Sequence, residues 1–192
     1  MQLKNITHHL LSKAWATLYR IDYDFKFKNG FWKRISRECY DRGNGTSILL
    51  YNPDKKTVIL TQQFRMPAFE NCNEDGMSIE VCAGALDKNE DPQSCIIREA
   101  EEEVGIKINE VIKVIEAYMS PGAVTEKMFC FIAKYNDSMR INSGGGVIDE
   151  DEEITVLELP FDRALKMIDT HEIKDAKTIM LLQYAKLHNL VH

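Results

Sequence analysis

The stretch from Gly84 to Ile106 sets the tightest limits on what this 192-residue chain can become. It reads Gly84, five residues, Glu90, seven residues, and then Arg98-Glu99-Ala100-Glu101-Glu102-Glu103-Val104-Gly105-Ile106, which crowds carboxylates onto about one short helix. Asp91 and Pro92 make an N-cap and first-turn pair. Gly105 is a C-terminal stop. At about 100° per residue, Ile96, Ile97, Ala100 and Val104 share a face that can pack on a core, whereas Glu99, Glu102 and Glu103 fan across another. The acid face and the core face are expected to be distinct.

This placement runs against the helix macrodipole, which favours acids near the N-terminus and bases near the C-terminus. Like charges three or four residues apart cost a further ~0.2–0.5 kcal/mol per pair. A merely solvated acidic face is therefore an awkward arrangement, and a bound cation would offset it. The candidate ligands are all oxygen, with no His or Cys pair nearby at metal spacing. That chemistry selects a hard divalent ion, Mg²⁺ or Mn²⁺, over zinc. Arg98 is placed to pair with Glu102 one turn on.

Hydrophobic residues make up 44% of the chain, enough for a sizeable core in one domain or a domain with a small appendage. A net charge of −6 argues against a general nucleic-acid or membrane-surface binder, which needs a basic footprint. An anionic substrate would have to be met by metals and local arginines. Cys39, Cys72, Cys82, Cys95 and Cys130 are odd in number and scattered, and no signal peptide or long apolar run is visible. A reduced, cytoplasmic setting is expected, with the cysteines as packing residues.

Partial alternation predicts a strand from Ala14 to Phe27, a tight turn at Asn29-Gly30 and a second strand from Phe31 to Tyr40. Further strands are expected over Thr46 to Tyr51, Thr57 to Phe64, Ser78 to Ala83, Val111 to Tyr118, Met128 to Tyr135 and Ile154 to Leu159. Met66 to Gly76 reads as an exposed loop, and Asn142 to Asp151 as a Gly-rich, acidic one. Two helices close the chain, about Phe161 to Thr170 and about Asp175 to Leu190, the second capped by Asp175. The expectation is a mixed α/β domain over residues 46–192, preceded by a β-strand extension over residues 1–45.

The Gly84–Ile106 pattern resembles the Nudix box, G-x5-E-x7-R-E-U-x-E-E-x-G-U with U a bulky aliphatic. Every fixed position matches, and Ala100 is the one departure, at a U position on the core side that carries no ligand. The resemblance implies a mixed sheet sandwiched between helices and metal-assisted hydrolysis of a nucleoside diphosphate linked to another group. By residue-wise carry-over, Glu99, Glu103 and the backbone carbonyl of Ala83 would hold Mg²⁺, with Mn²⁺ as the alternative. Glu102 would be a ligand or position the water, Arg98 would orient Glu102, and Glu90 would hold the loop against the helix.

After the box, Ser120-Pro121-Gly122 puts a proline sixteen residues past Gly105, as in the branch of the family that cleaves ADP-ribose and nucleotide sugars. Tyr40-Asp41-Arg42-Gly43-Asn44-Gly45, Gln63-Phe64-Arg65, Tyr118-Met119-Ser120-Pro121-Gly122 and Gly144-Gly145-Gly146-Val147 extend that resemblance along the chain. It implies cleavage of GDP-mannose to GMP and mannose 1-phosphate by a homodimer whose N-terminal strands reach across to the other subunit. Trp15, Arg37, Glu38, Arg65, Ala85, Glu126, Asp149 and Lys177 would contact substrate, the arginines through forked hydrogen bonds to phosphate. Catalysis also needs a base, for which the acidic segment Asp149 to Glu153 offers Glu150, also a candidate metal ligand. Compared with the enzymes it resembles, the chain carries two extra residues between this acidic segment and the next strand, which makes Glu152 a rival. ADP-ribose hydrolysis, a non-catalytic sensor of nucleotide sugars and RNA processing are the competing readings, the last disfavoured by the acidic charge.

Overall fold

A computed structural model describes residues 2–71, 75–146 and 153–191. The chain divides into two compact units, Met1–Asn44 with Ala117–Met128 and Gly45–Glu116 with Phe129–His192.

The first unit carries a three-stranded antiparallel sheet in the order β1-β2-β3, with β1 Leu3–Lys13, β2 Thr17–Lys26 and β3 Trp32–Asp41. The turn between β2 and β3 contains Gly30 at φ 85°, a conformation that glycine adopts without steric cost. Two features differ from expectation. Residues 14–16 form a bend rather than the start of a strand, so Trp15 sits between β1 and β2. Strand β1 itself was not anticipated. Its register on β2 shifts between Lys4 and Thr7 and again between Leu10 and Ser12, with Asn5 at φ 52°. Each shift interrupts the period-two alternation by which a strand is read.

The second unit is built on a seven-stranded sheet that runs β10-β5-β4-β9-β8, with β6 added to β5 and β7 to β4. These are β4 Gly45–Asn52, β5 Thr57–Phe64, β6 Met77–Glu80, β7 Cys82–Ala85, β8 Ile112–Tyr118, β9 Lys127–Lys134 and β10 Thr155–Pro160. All eight residues of β4 are buried, so both of its faces are covered, and α2 Pro92–Val104 and α4 Ala176–Leu187 both pack on it. Helix α3 Phe161–Asp169 lies against β5 and β10. The architecture is the expected mixed α/β. The segment expected as a loop after β5 opens with a short helix, α1 Met66–Glu70, whose Pro67 suits a first-turn position.

One expected strand, Ser78 to Ala83, is two. Thr61 pairs with Glu80 on β5, but Ile48 pairs with Cys82 on β4, so the chain changes partner at Val81. The Val81 N–H, released from both ladders, donates to Thr178 Oγ1 of α4 at 2.8 Å. This break delivers Ala83 and Gly84 to α2.

Helix α2 begins and ends as its caps predict. Asp91 accepts from the Ser94 N–H at 3.0 Å, Pro92 follows, and Gly105 closes the helix at φ 68°. There the Gly105 and Ile106 N–H groups satisfy the Glu101 and Ala100 carbonyls. Ile96, Ala100 and Val104 are fully buried with Ile48, Leu50, Ile59, Cys82, Ile106 and Phe131. Each large aliphatic so buried contributes about 1.5–3 kcal/mol, which anchors the helix whose other side chains form the site. Among the described residues no helix is long and apolar enough to cross a membrane.

Candidate active site

The acids of α2 do not form one face. Glu103 is 2% exposed and lies on the buried side, with Oε2 accepting from the Ala83 N–H at 3.2 Å. The Glu99 carboxylate leans over Gly84 of the same strand. A Cβ placed on Gly84 would come within 2.3 Å of Glu99 Oε1, so the close approach requires glycine. Two carboxylates four residues apart on α2 therefore converge on the Ala83–Gly84 backbone, and the acid and core faces meet at Glu103. Its neighbour Cys82 has its thiol pushed well up, first by burial and then by the charge and hydrogen bond of Glu103.

Glu102 turns away from this pair to Arg98, which binds it at 2.6 Å and also reaches Glu99 at 2.9 Å and Glu90 at 3.7 Å. Burial opposes the Arg98 charge, but Glu99 and Glu102 outweigh it and raise the guanidinium further above its ordinary range. Glu90 accepts from the Asp87 N–H at 3.2 Å and so joins the preceding loop to the helix. Ala85 closes β7, and its carbonyl faces the Cys95 thiol at 3.6 Å.

Across β6, Arg65 makes a forked pair with Glu80, Nε to Oε1 and Nη2 to Oε2, both 3.0 Å. Lys177 at the start of α4 donates to Glu80 Oε2 at 2.6 Å and to Asp175 Oδ1 at 2.9 Å. Burial would raise the Glu80 pKa. The Arg65 hydrogen bonds and the Lys177 and Arg65 charges overcome it and hold the group at about 2. Arg65 and Lys177 were expected as substrate contacts, but Glu80 was not singled out. Its signal was there: a lone acid between Ile79 and Val81 in an apolar strand, where a buried charge needs a cationic partner.

The first unit holds the remaining candidates. Arg37 and Glu38 of β3 line a cleft of about 340 Å³ with Ile21, Tyr23 and the post-box segment Pro121-Gly122-Ala123-Val124. That segment is strapped to β3 by Tyr40 N–H to Ala123 O at 2.8 Å and Thr125 N–H to Tyr40 O at 3.0 Å. Trp15 is 74% exposed, and the Arg42 guanidinium lies 5.1 Å from its ring centroid. Arg42 also pairs with Glu126 at 3.4 Å, which gathers Trp15 and Glu126 around an arginine that sequence reasoning left unassigned.

Asp149, Glu150 and Glu152 lie outside the described residues. The segment before them is fixed: the Gly145 N–H donates to the Glu103 carbonyl at 2.9 Å, and Gly144, at φ 67°, packs so closely there that a Cβ would meet Glu103 O at 2.4 Å.

Among the described residues no three His, Cys, Asp or Glu side chains gather as a closed metal shell. The donor set present is two carboxylates on one backbone segment, partly buried and all oxygen, and it fits a hard divalent ion that takes its other ligands from water and substrate phosphates.

A helix capped at both ends that lays two carboxylates on a Gly-containing strand can present a hard divalent ion to phosphate oxygens. Residues 41–182 match the NUDIX domain, and the chain belongs to the Nudix family. Residues 2–40 match the GDP-mannose pyrophosphatase NudK N-terminal domain. Over 190 residues, covering 99% of this chain and 98% of each relative, the sequence is 53% identical to GDP-mannose pyrophosphatases from Escherichia coli O157:H7 and Shigella dysenteriae serotype 1 (strain Sd197).

Proposed function

We infer that this protein hydrolyses the diphosphate of nucleotide sugars, with GDP-mannose as the preferred substrate and GMP and mannose 1-phosphate as products. The observation that carries the reading is full-length 53% identity to GDP-mannose pyrophosphatases, joined to the pair Glu99 and Glu103 on the Ala83–Gly84 backbone.

Hydrolysis adds water across a bridging P–O bond. One phosphorus gains the water oxygen, the other keeps the bridging oxygen, and the proton released must be accepted. Glu99, Glu103 and the Ala83 carbonyl would hold Mg²⁺, or Mn²⁺ in its place. When bound, such an ion neutralises phosphate charge and lowers the pKa of water. Glu103 is fixed by the Ala83 N–H and by burial, so its carboxylate is preorganised. Arg98 restrains Glu99 and Glu102. Arg65 and Lys177 are cations suited to the diphosphate. Trp15 offers an exposed indole that can stack on a purine, Arg37 is a further cation suited to phosphate, and Glu38 and Glu126 supply polar contacts to substrate.

The protein works in the cytoplasm as a homodimer that shares its N-terminal strands between copies. Exposed Leu3, Ile6, Leu10 and Leu11 on β1 support an apolar contact. Opposite charges support it too. The first unit carries ten Lys and Arg against five Asp and Glu, net +5, and the second carries fourteen against twenty-five, net −11.

Initial rates on GDP-mannose, ADP-ribose and ADP-glucose at equal concentration with Mg²⁺ test the reading. GDP-mannose turned over fastest, with GMP and mannose 1-phosphate resolved by chromatography, is the expected result. Faster cleavage of ADP-ribose would overturn the substrate assignment, and inertness towards all three would leave only a binding scaffold.

A further inference from the structure

We propose that Glu80 is a positioning residue for the reaction, aligning Arg65 and Lys177 so that their remaining N–H groups converge on the diphosphate. The inference rests on the reading of Arg65 and Lys177 as diphosphate contacts.

A guanidinium has five N–H donors in a rigid plane, and an arginine on a free side chain must give up rotamer freedom each time it binds phosphate. Here one edge of the fork is already taken. Glu80 accepts Nε–H and an Nη2–H at 3.0 Å each, so the plane of Arg65 is set before substrate arrives. The rest of the guanidinium stays accessible, since the Arg65 side chain is 41% exposed while that of Glu80 is 5% exposed. The acid is the buried anchor and the arginine its outward arm.

The same carboxylate fixes Lys177. Its ammonium spends one proton on Glu80 Oε2 at 2.6 Å and another on Asp175 Oδ1 at 2.9 Å, which leaves a third for an incoming anion. Asp175 cannot drift, because it caps α4 through the Thr178 N–H at 2.9 Å while the Thr178 hydroxyl accepts from the Val81 N–H at 2.8 Å. Val81 is the residue at which the chain crosses from β5 to β4, directly before Cys82 and Ala83. One short backbone segment thus holds the acid that aligns both cations and leads straight into the strand that receives Glu103. Two acids and two bases also make the cluster neutral, so both cations are ordered without an excess positive charge having to be buried.

The geometry predicts that Glu80 acts mainly through Arg65, which holds two of its three hydrogen bonds, and in smaller part through Lys177. The test is a cycle of kcat and KM on GDP-mannose with Mg²⁺ for wild type, Glu80→Asp, Arg65→Ala and the double variant, with Tm measured for each. Glu80→Asp keeps the charge and shortens the arm by one methylene, so it guards against the misfolding that Glu80→Gln risks. The expected result is a ~10–100-fold fall in kcat/KM for Glu80→Asp, mainly through KM, the size that misplacement by about an ångström produces. In the Arg65→Ala background the same change should cost clearly less than in wild type, the remainder running through Lys177. An equal fall in both backgrounds, or a fall in Tm with kcat/KM unmoved, overturns the proposal and leaves Glu80 a structural residue. Arg65→Ala at wild-type kcat/KM overturns the underlying reading of Arg65 instead.

Discussion

The two units put their chemistry on opposite footings. In the second unit the candidate side chains grow out of a core: Glu103 and Glu80 are 2% and 4% exposed, and each is held by a partner on a neighbouring element. In the first unit β1 is exposed at almost every position, and of the candidate residues Trp15, Arg37 and Glu38 are exposed, whereas Glu126 is buried. Charge divides along the same line, +5 against −11. Catalytic groups need fixed geometry and therefore burial, whereas groups that choose a base or meet a second copy need surface. Substitutions at the carboxylate pair of the second unit should accordingly damage turnover, and those in the first unit affinity or assembly.

The largest effect is expected for Glu103→Gln, which keeps the shape and removes the charge. kcat should fall at least about 100-fold with far-ultraviolet circular dichroism unchanged. Ile96→Ala, on the fully buried face of α2, should cost about 2–5 kcal/mol in chemical denaturation and drag activity down only through unfolding. Gly84→Ala sharpens the contrast. The new methyl must displace Glu99, so kcat should fall ~10–100-fold while the fold persists, as Michaelis–Menten kinetics beside Tm would reveal.

Acid sensitivity follows from Glu80. Its pKa is depressed in the fold to about 2, so its stabilising contribution is complete above the ordinary carboxylate range and is lost as pH falls towards 2. Acid titration of Tm should steepen in that window for wild type and flatten for Glu80→Asp if the shorter acid pairs less well. The smallest stability effect belongs to Trp15→Ala, within about 0.5 kcal/mol because the indole is exposed, but with KM for the nucleotide sugar raised several-fold. A Trp15→Ala variant that unfolds, or a Gly84→Ala variant at full activity, would break the contrast between the units.

What the sequence made legible follows the same physics. Helix α2 was readable because Asp91, Pro92 and Gly105 are local signals and the spacing of Ile96, Ala100 and Val104 needs no tertiary context. The strands β4, β5 and β9 were readable because they are apolar and flanked by turn residues. Strand β1 was not, because register shifts around Asn5 and Leu10 break its alternation and because its apolar residues do not face a core within the first unit. The split at Val81 depends on a change of strand partner, which no local pattern encodes. At the candidate site, the box singles out Glu99 and Glu103, but the burial of Glu103 against Ala83 and the clamp of Glu80 on Arg65 and Lys177 are long-range facts. Arg42 escaped notice because its partners, Trp15 and Glu126, are distant in sequence.

The most direct test is the initial rate of GDP-mannose hydrolysis as Mg²⁺ is titrated, in wild type and in Glu103→Gln, with products resolved as GMP and mannose 1-phosphate. A saturable, Mg²⁺-dependent rate is expected in wild type, and a rate near background in the variant at every Mg²⁺ concentration. Equal rates in the two proteins would remove Glu103, and with it the carboxylate pair on the Ala83–Gly84 backbone, from the chemistry.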